Sequence, residues 1–185
     1  MSRARAEFAT MDGMMRSAMT LLLAAGFVLA QMPSPPAETS ATINGKKISI
    51  HYAAPSLRGR HAFGPNGIIS HDPTYPVWRA GANEATALHT DAPLQIGNLT
   101  VPAGNYTLFV DIATNPWRLI VNKRTGEWGL DYTKSADLGR VPMTMTKPAT
   151  PIETYKMTLT DLGGNRGKLE LAWEDVVASV NFMVR

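Results

Sequence analysis

Seven polar and aromatic side chains suited to ligand recognition lie in glycine-containing stretches of the sequence. They are Arg58, Arg60, Trp78, Arg79, Asn83, Glu84 and Trp128. Guanidinium groups grip carboxylates, phosphates or sugar hydroxyls, an amide and a carboxylate orient a ligand, and an indole offers a stacking face. The set predicts a ligand-binding site built from loops. In the alternative interpretation, Arg79 pairs with Glu84 and Asn83 satisfies loop backbone groups, so that these residues only hold the loop in place.

Other catalytic and metal-binding patterns are weaker. The four histidines are His51, His61, His71 and His89, and none of them forms a pair at the helical i, i+4 spacing of a metal motif. We therefore predict no metal and no cofactor. The adjacent acids Glu174 and Asp175 would point to opposite faces of a strand. A small glycoside or ester hydrolase, using Glu127 and Asp131 with another acid, stays an alternative for which no catalytic residue can be assigned.

Length, composition and charge restrict the class of protein. With 185 residues and 44% hydrophobic content, the chain can bury one core and is predicted to form one domain. Its formal net charge is +3, and 15 basic and 13 acidic residues follow position 30. Basic and acidic residues are interleaved, which argues against nucleic-acid binding, because a phosphate-binding surface needs a clustered basic face.

The N-terminus has the pattern of a secretory signal peptide. Arg16 precedes the apolar run Met19–Leu29, and small residues lie before a cleavage site ahead of Gln31. We predict a signal peptide over residues 1–30, with translation starting at Met1, Met14 or Met15, and a periplasmic or secreted product. The run is shorter than the ~20 residues that span a bilayer, so no membrane span is expected after cleavage; an uncleaved anchor is the alternative. The chain has no cysteine, so no disulfide bond can stabilise the exported domain.

The rest of the chain predicts many short strands. Residues 31–40, QMPSPPAETS, are predicted as a proline-rich linker. Asn44–Gly45 predicts a tight hairpin turn, and alternating apolar residues predict strands over 85–90, 94–101 and 106–111. After the leader, no window has the helical spacing of apolar residues. The pattern predicts an all-β domain over residues 41–185, an antiparallel β-sandwich, with a small β-barrel as the alternative.

Three stretches of this sequence resemble a known family. They are APSLRGR from Ala54, VWRAGANEAT from Val77 and VPAGNYTLF from Val101, and Glu127–Trp128–Gly129 and Leu171–Ala172–Trp173–Glu174 continue the likeness. On these residues the chain resembles the domain of unknown function 2911 family of exported bacterial proteins. The resemblance implies a compact β-rich exported domain and no particular reaction, cofactor or catalytic residue. The sequence departs from the family pattern over Pro65–Pro76, where a compact turn is usual.

Together these observations predict an exported β-sandwich that works as a binding or interaction module. Its site is expected where the loops Arg58–Arg60, Trp78–Glu84 and Lys123–Asp131 meet, and its partner would be a small molecule, a sugar or an envelope component. The alternatives are the small hydrolase and a structural envelope protein without a small ligand.

Overall fold

The structure is a computed structural model and describes residues 34–185. The strands are β1 Pro36–Ile43, β2 Lys46–Ala53, β3 Val77–Trp78, β4 Thr86–Thr90, β5 Leu94–Ile96, β6 Leu99–Val101, β7 Gly104–Asp111, β8 Arg118–Asn122, β9 Asp137–Pro142, β10 Thr144–Thr146, β11 Ile152–Asp161, β12 Arg166–Glu174 and β13 Val176–Val184. Two single turns of 3-10 helix occur at Ile68–His71 and Lys134–Ala136. The predicted signal peptide lies outside the described residues.

The strands form two antiparallel sheets. The first has the order β1-β2-β4-β7-β8-β9, with β3 also paired to β7; the second has the order β11-β12-β13-β5-β6, with β10 paired to β13. Inner residues of both sheets, such as Leu108 and Leu171, belong to one buried core. Neither sheet closes into a barrel, so the predicted antiparallel β-sandwich is confirmed. Among residues 34–185, no helix has the length and apolar character that crossing a membrane would require.

The first hairpin begins earlier in the chain than the sequence indicates. Its turn is as predicted, because Ile43 pairs with Lys46 and both Asn44 and Gly45 have positive φ angles, 49° and 72°. β1 starts at Pro36, however, so residues 36–40 of the predicted linker form a strand. Pro36 is tolerated there because it is the first residue of an edge strand, where no ladder donor is lost.

One predicted strand is in fact two. Residues 94–101 form β5 and β6, which pair with each other from Leu94↔Val101 to Ile96↔Leu99. Gly97 has a φ of 57° and reverses the chain between them. The alternating apolar pattern continues through this turn, which is why it does not reveal the break.

One end of the core is filled by aromatic rings. Trp78 and Trp173 stack with centroids 5.9 Å apart and an interplanar angle of 23°, and Tyr155 packs edge-on against both. Phe63 from the loop before β3 packs on the same two indoles. Rings from both sheets and a connecting loop therefore fix this end of the sandwich, from which the loop after β3 emerges.

Candidate functional site

The loop 79–85 is an excursion between two strands that share one partner. Trp78 of β3 pairs with Val110 and Thr86 of β4 pairs with Leu108, two residues apart on β7. The seven residues between Trp78 and Thr86 must therefore leave the sheet. Ala80 and Asn83 take up left-handed backbone angles, with φ of 51° and 58°. Such angles raise the conformational free energy of residues other than glycine, and they occur most often at functional sites.

Trp78 lies in the core rather than in the site. Its side chain is 1% exposed, stacks on Trp173, and donates its Nε1 hydrogen to the carbonyl oxygen of Gly81 at 3.0 Å. No face of the indole is open to a ligand, which corrects the expectation that Trp78 offers a stacking surface. The reason is position: Trp78 ends β3 with its side chain towards the second sheet.

Arg79 holds the loop together. One guanidinium nitrogen donates to the carbonyl oxygen of Asn83 at 3.0 Å, and another contacts Asp72 Oδ1 at 3.0 Å. The Arg79 and Asp72 side chains are only 11% and 19% exposed. The partner that the sequence indicated, Glu84, is not used. Asp72 lies in Pro65–Pro76, the stretch in which this chain departs from the family pattern. This stretch therefore supplies the carboxylate that pairs with Arg79, so that the Arg79 guanidinium does not contact a ligand.

The Arg58–Arg60 turn is tied to the second sheet. Arg60 donates to the carbonyl oxygens of Leu57 at 3.0 Å and Ser56 at 3.3 Å, and the backbone N–H of Arg58 donates to Glu153 Oε1 at 2.8 Å. Neither arginine is among the residues that line the open cleft beside loop 79–85. Of the three loops predicted to form one site, the Trp78–Glu84 loop alone lines that cleft, and it pairs with the Lys123–Asp131 loop through a backbone bridge.

The segment after this turn is fastened by Glu174. Its carboxylate accepts hydrogen bonds from His61 Nδ1 at 2.6 Å and from the backbone N–H groups of Ala62 at 2.8 Å and Phe63 at 3.4 Å. Burial alone would raise the pKa of Glu174, but these hydrogen bonds outweigh it and hold the pKa below its usual range. The carboxylate is thus a structural anchor.

The other two loops meet through a backbone bridge. The Gly129 N–H donates to the Asn83 carbonyl at 3.2 Å and the Ala85 N–H donates to the Glu127 carbonyl at 3.3 Å. Glu84 and Trp128 lie opposite each other between these bonds as an antiparallel pair. Side chains of such a pair are on the same side, with Cβ atoms about 4.5–5.5 Å apart.

Gly129 makes this close approach of the two loops sterically feasible. A Cβ at position 129 would lie 2.7 Å from the Asn83 carbonyl oxygen and would also collide with the Arg79 side chain. Any side chain at this position would push the two segments apart. Glycine is required here for space, since its backbone angles are ordinary.

An open cleft of about 460 Å³ lies beside this bridge, on the outer face of the first sheet. It is lined by Ser34, Pro36, Ala37, His51, Tyr52, Ala53, Asn83, Glu84, Ala85 and Ala87. Asn83 Nδ2 donates to the Ser34 carbonyl at 3.2 Å, and His51 Nε2 is 3.8 Å from Glu38 Oε1. Within residues 34–185, no hydrogen bond or ion pair engages the Glu84 carboxylate. The cleft thus combines a floor of small side chains with an unpaired carboxylate.

Trp128 is the exposed aromatic residue at the edge of this arrangement. Its side chain is 51% exposed. The residues that precede it are anchored: Thr107 Oγ1 donates to the Arg124 carbonyl at 2.7 Å, and Glu127 forms an ion pair with Arg124. The indole is therefore presented by a fixed loop.

A partly buried polar network on the outer face of the first sheet is absent from the sequence predictions. Arg140 donates to Asp111 Oδ2 at 2.7 Å and to Asp137 Oδ2 at 3.0 Å, and Tyr132 donates to Asp137 Oδ2 at 2.7 Å. Burial, reinforced by Asp137, raises the pKa of Tyr132 to about 12. The network fixes the end of the loop that carries Trp128. One residue in the sequence could have indicated this network. Phe109 is apolar although it points outward from β7, and the Tyr132 ring packs against it with ring centroids 5.0 Å apart.

Residues 34–185 contain no group of three or more histidine or acidic side chains placed to hold a metal ion. The side chains that the site offers are those of Glu84, Asn83 and His51 in the cleft and that of Trp128 across the bridge.

Comparison with known families gives one match. The model of the family described as "Protein of unknown function (DUF2911)" matches residues 34–182. The chain belongs to this family. The resemblance found in the Trp78–Glu84 motif is thereby confirmed, and DUF2911 covers nearly all of both sheets. No curated protein and no solved structure matches the chain.

Proposed function

We propose that this DUF2911 protein is an exported binding module that takes a small, neutral, polar ligand of the sugar class in the cleft beside Glu84. The pairing of Glu84 with Trp128 is the observation that carries the proposal. It pairs an unpaired carboxylate that lines the cleft with a half-exposed indole on the same side of one bridge.

The chemistry of these two side chains suits a sugar. A carboxylate accepts hydrogen bonds from two neighbouring hydroxyl groups, and an indole gives a flat apolar surface for the C–H face of a ring. The Asn83 side chain and the His51 imidazole add hydrogen-bonding groups on the cleft wall. A concave site with a few convergent polar groups is the usual form of a small-molecule site.

Arginine has a supporting role in this proposal. Arg79 holds the Asn83 carbonyl, which in turn accepts the Gly129 N–H. The guanidinium therefore positions the Glu84–Trp128 pair through the Asn83 carbonyl and does not contact the ligand. The sequence leaves two roles open for Arg79, contact with a ligand and support of the loop, and the contacts of Arg79 favour the second.

Export is supported by the pattern of residues 1–30. Fractionation of the native host, followed by mass determination of the mature N-terminus, tests it. A product beginning near Gln31 outside the cytoplasm is expected; a full-length cytoplasmic product would contradict export.

Binding is tested by calorimetry on the full chain with a panel of neutral mono- and disaccharides, dipeptides and inorganic phosphate. We expect a neutral sugar to bind, and Glu84→Gln and Trp128→Ala each to weaken it at least tenfold. Leu162→Ala is the matched control, because Leu162 is an apolar side chain 42% exposed in a different turn. If no panel member binds, or if both variants bind like the wild type, the proposal fails. Turnover of the sugar that is lost in Glu84→Gln would instead favour the hydrolase.

A further inference from the structure

The cleft beside Glu84 continues along the sheet into a second hollow. This second hollow, of about 420 Å³, is lined by Ser49, His51, Ala87, Leu88, His89, Asn105, Tyr106 and Thr125. His51 and Ala87 line both hollows. They are direct cross-strand partners on β2 and β4, so the two hollows meet over one residue pair. The outer face of the first sheet therefore carries a single groove.

The groove is longer than one sugar ring requires. From Ala87, which lines both hollows, to His89 it follows β4 for two residues, which adds roughly 7 Å at the rise of a β-strand to the cleft beside Glu84. Three of its outward residues are small, since Ala53 and Ala87 are alanines and Ser49 is a serine, while the exposed His51 imidazole lies beside Ala87 where the hollows meet. A larger residue at position 87 would divide the groove.

The side chains of the second hollow are arranged for hydrogen bonding. His89 is held by Asn105 Oδ1 at 2.8 Å from Nδ1 and by Asp91 Oδ1 at 3.0 Å from Nε2. Hydrogen bonding to Asn105, and then to Asp91, raises the pKa of His89. Because the side-chain carbonyl oxygen of Asn105 contacts His89, the side-chain amide hydrogens of Asn105 point away from His89. Within residues 34–185, no side-chain hydrogen bond engages Ser49 or Thr125.

The surroundings favour a neutral polyhydroxylated chain over a peptide or a polyanion. β2, β4 and β7 are interior strands with a neighbour on each side, so their backbone groups are already paired and cannot receive a peptide by strand addition. No lysine or arginine is among the residues that line either hollow, which removes the usual partners of phosphate or sulfate groups.

We infer that the groove from Glu84 to Asn105 binds a linear neutral oligosaccharide of several units, with one unit beside Glu84 and Trp128 and the next units over Ala87 towards His89. This rests on the proposed sugar binding at Glu84 and extends it. Recognition is by side chains along the groove, so it depends on the number of units in the oligosaccharide.

The test is calorimetric titration of the full protein with chito-oligosaccharides of one, two, four and six N-acetylglucosamine units, with cello- and manno-oligosaccharides of the same lengths in parallel. We expect affinity to rise at least tenfold from one unit to four in one series. Ala87→Leu, which fills the groove where the hollows meet, should remove most of that rise. Ala172→Leu is the matched control, since Ala172 faces outward on β12 of the other sheet.

The outcomes separate this inference from the proposed function. If a short sugar binds through Glu84 and Trp128 but affinity does not increase with length, the extended groove is wrong and the proposed function stands. If affinity rises with the number of sugar units equally in Ala87→Leu and in the wild type, the groove assignment is wrong. If no sugar binds in any series, both fail. If extended peptides bind in an Ala87-dependent manner while sugars do not, the ligand class is wrong.

Discussion

Replacing Arg79 with alanine tests whether this residue fastens the loop or grips a ligand. The guanidinium is 11% exposed and contacts the Asp72 carboxylate and the Asn83 carbonyl, both at 3.0 Å. Alanine at position 79 would leave a carboxylate that is 19% exposed without its partner and a carbonyl without its donor. The structure therefore predicts a loss of stability.

The size of this loss follows from its parts. Removing one partner of a fully buried ion pair costs about 3–5 kcal/mol, and a hydrogen bond from a charged group adds about 1.5–3 kcal/mol. Asp72 keeps some contact with solvent and can recover part of its hydration, so we expect a net cost of about 2–4 kcal/mol for Arg79→Ala. Asp72→Asn should cost less, because its amide oxygen can still accept one hydrogen bond.

Urea denaturation of the wild type, both single variants and the double variant measures this directly. The cycle should give a coupling free energy of about 1–3 kcal/mol between the two residues. Arg118→Ala is a matched control, since Arg118 is exposed on β8, and should change stability by less than about 0.5 kcal/mol. If Arg79→Ala leaves stability unchanged while abolishing ligand binding, Arg79 contacts the ligand and the fastening role is refuted.

Three further variants probe other parts of the structure. Gly129→Ala should cost about 1–3 kcal/mol in urea denaturation and weaken sugar binding, because two backbone hydrogen bonds of the bridge beside Asn83 are lost; unchanged stability would contradict the close packing. Glu174→Gln tests pH dependence. Because the folded-state pKa of Glu174 is lowered, its contribution is full above the unfolded pKa of about 4.3 and is lost as pH falls through the folded pKa, so the wild type should lose more stability between pH 5 and 3 than the variant. Trp78→Phe should remove the near-ultraviolet circular dichroism of the indole pair with Trp173; an unchanged spectrum would mean the rings do not stack.

The fold was largely predictable from local sequence. Strands that alternate apolar and polar residues, as in Tyr106–Asp111, show their buried face directly, and Asn44–Gly45 fixes its turn through two positive φ angles. The beginning of β1 was not predictable in this way, because Pro36–Ser40 is polar and proline-rich and becomes a strand only by pairing with β2.

The candidate site was predictable only in part. Asn83, Glu84 and Trp128 were named from the sequence, and the structure brings them to one bridge. The burial of Trp78 was missed, because a two-residue strand shows no period. The pairing of Arg79 was missed because its partner Asp72 belongs to a stretch without regular structure.

The groove floor could not be recognised from sequence at all. Ser49, His51 and Ala87 are ordinary residues in their strands, and only the register of β2 against β4, with Ser49 opposite His89 and His51 opposite Ala87, places them together. These outward residues come from two interior strands, so no single sequence motif contains them.

The most direct test of the assigned site is an NMR titration with the oligosaccharide series that follows the indole N–H signals of the four tryptophans and the backbone amides. We expect a binding sugar to shift the Trp128 indole and the Glu84 backbone amide, while the buried indoles of Trp78 and Trp173 stay unchanged. No shift with any sugar, or shifts confined to residues away from the cleft, would contradict the assignment of the site.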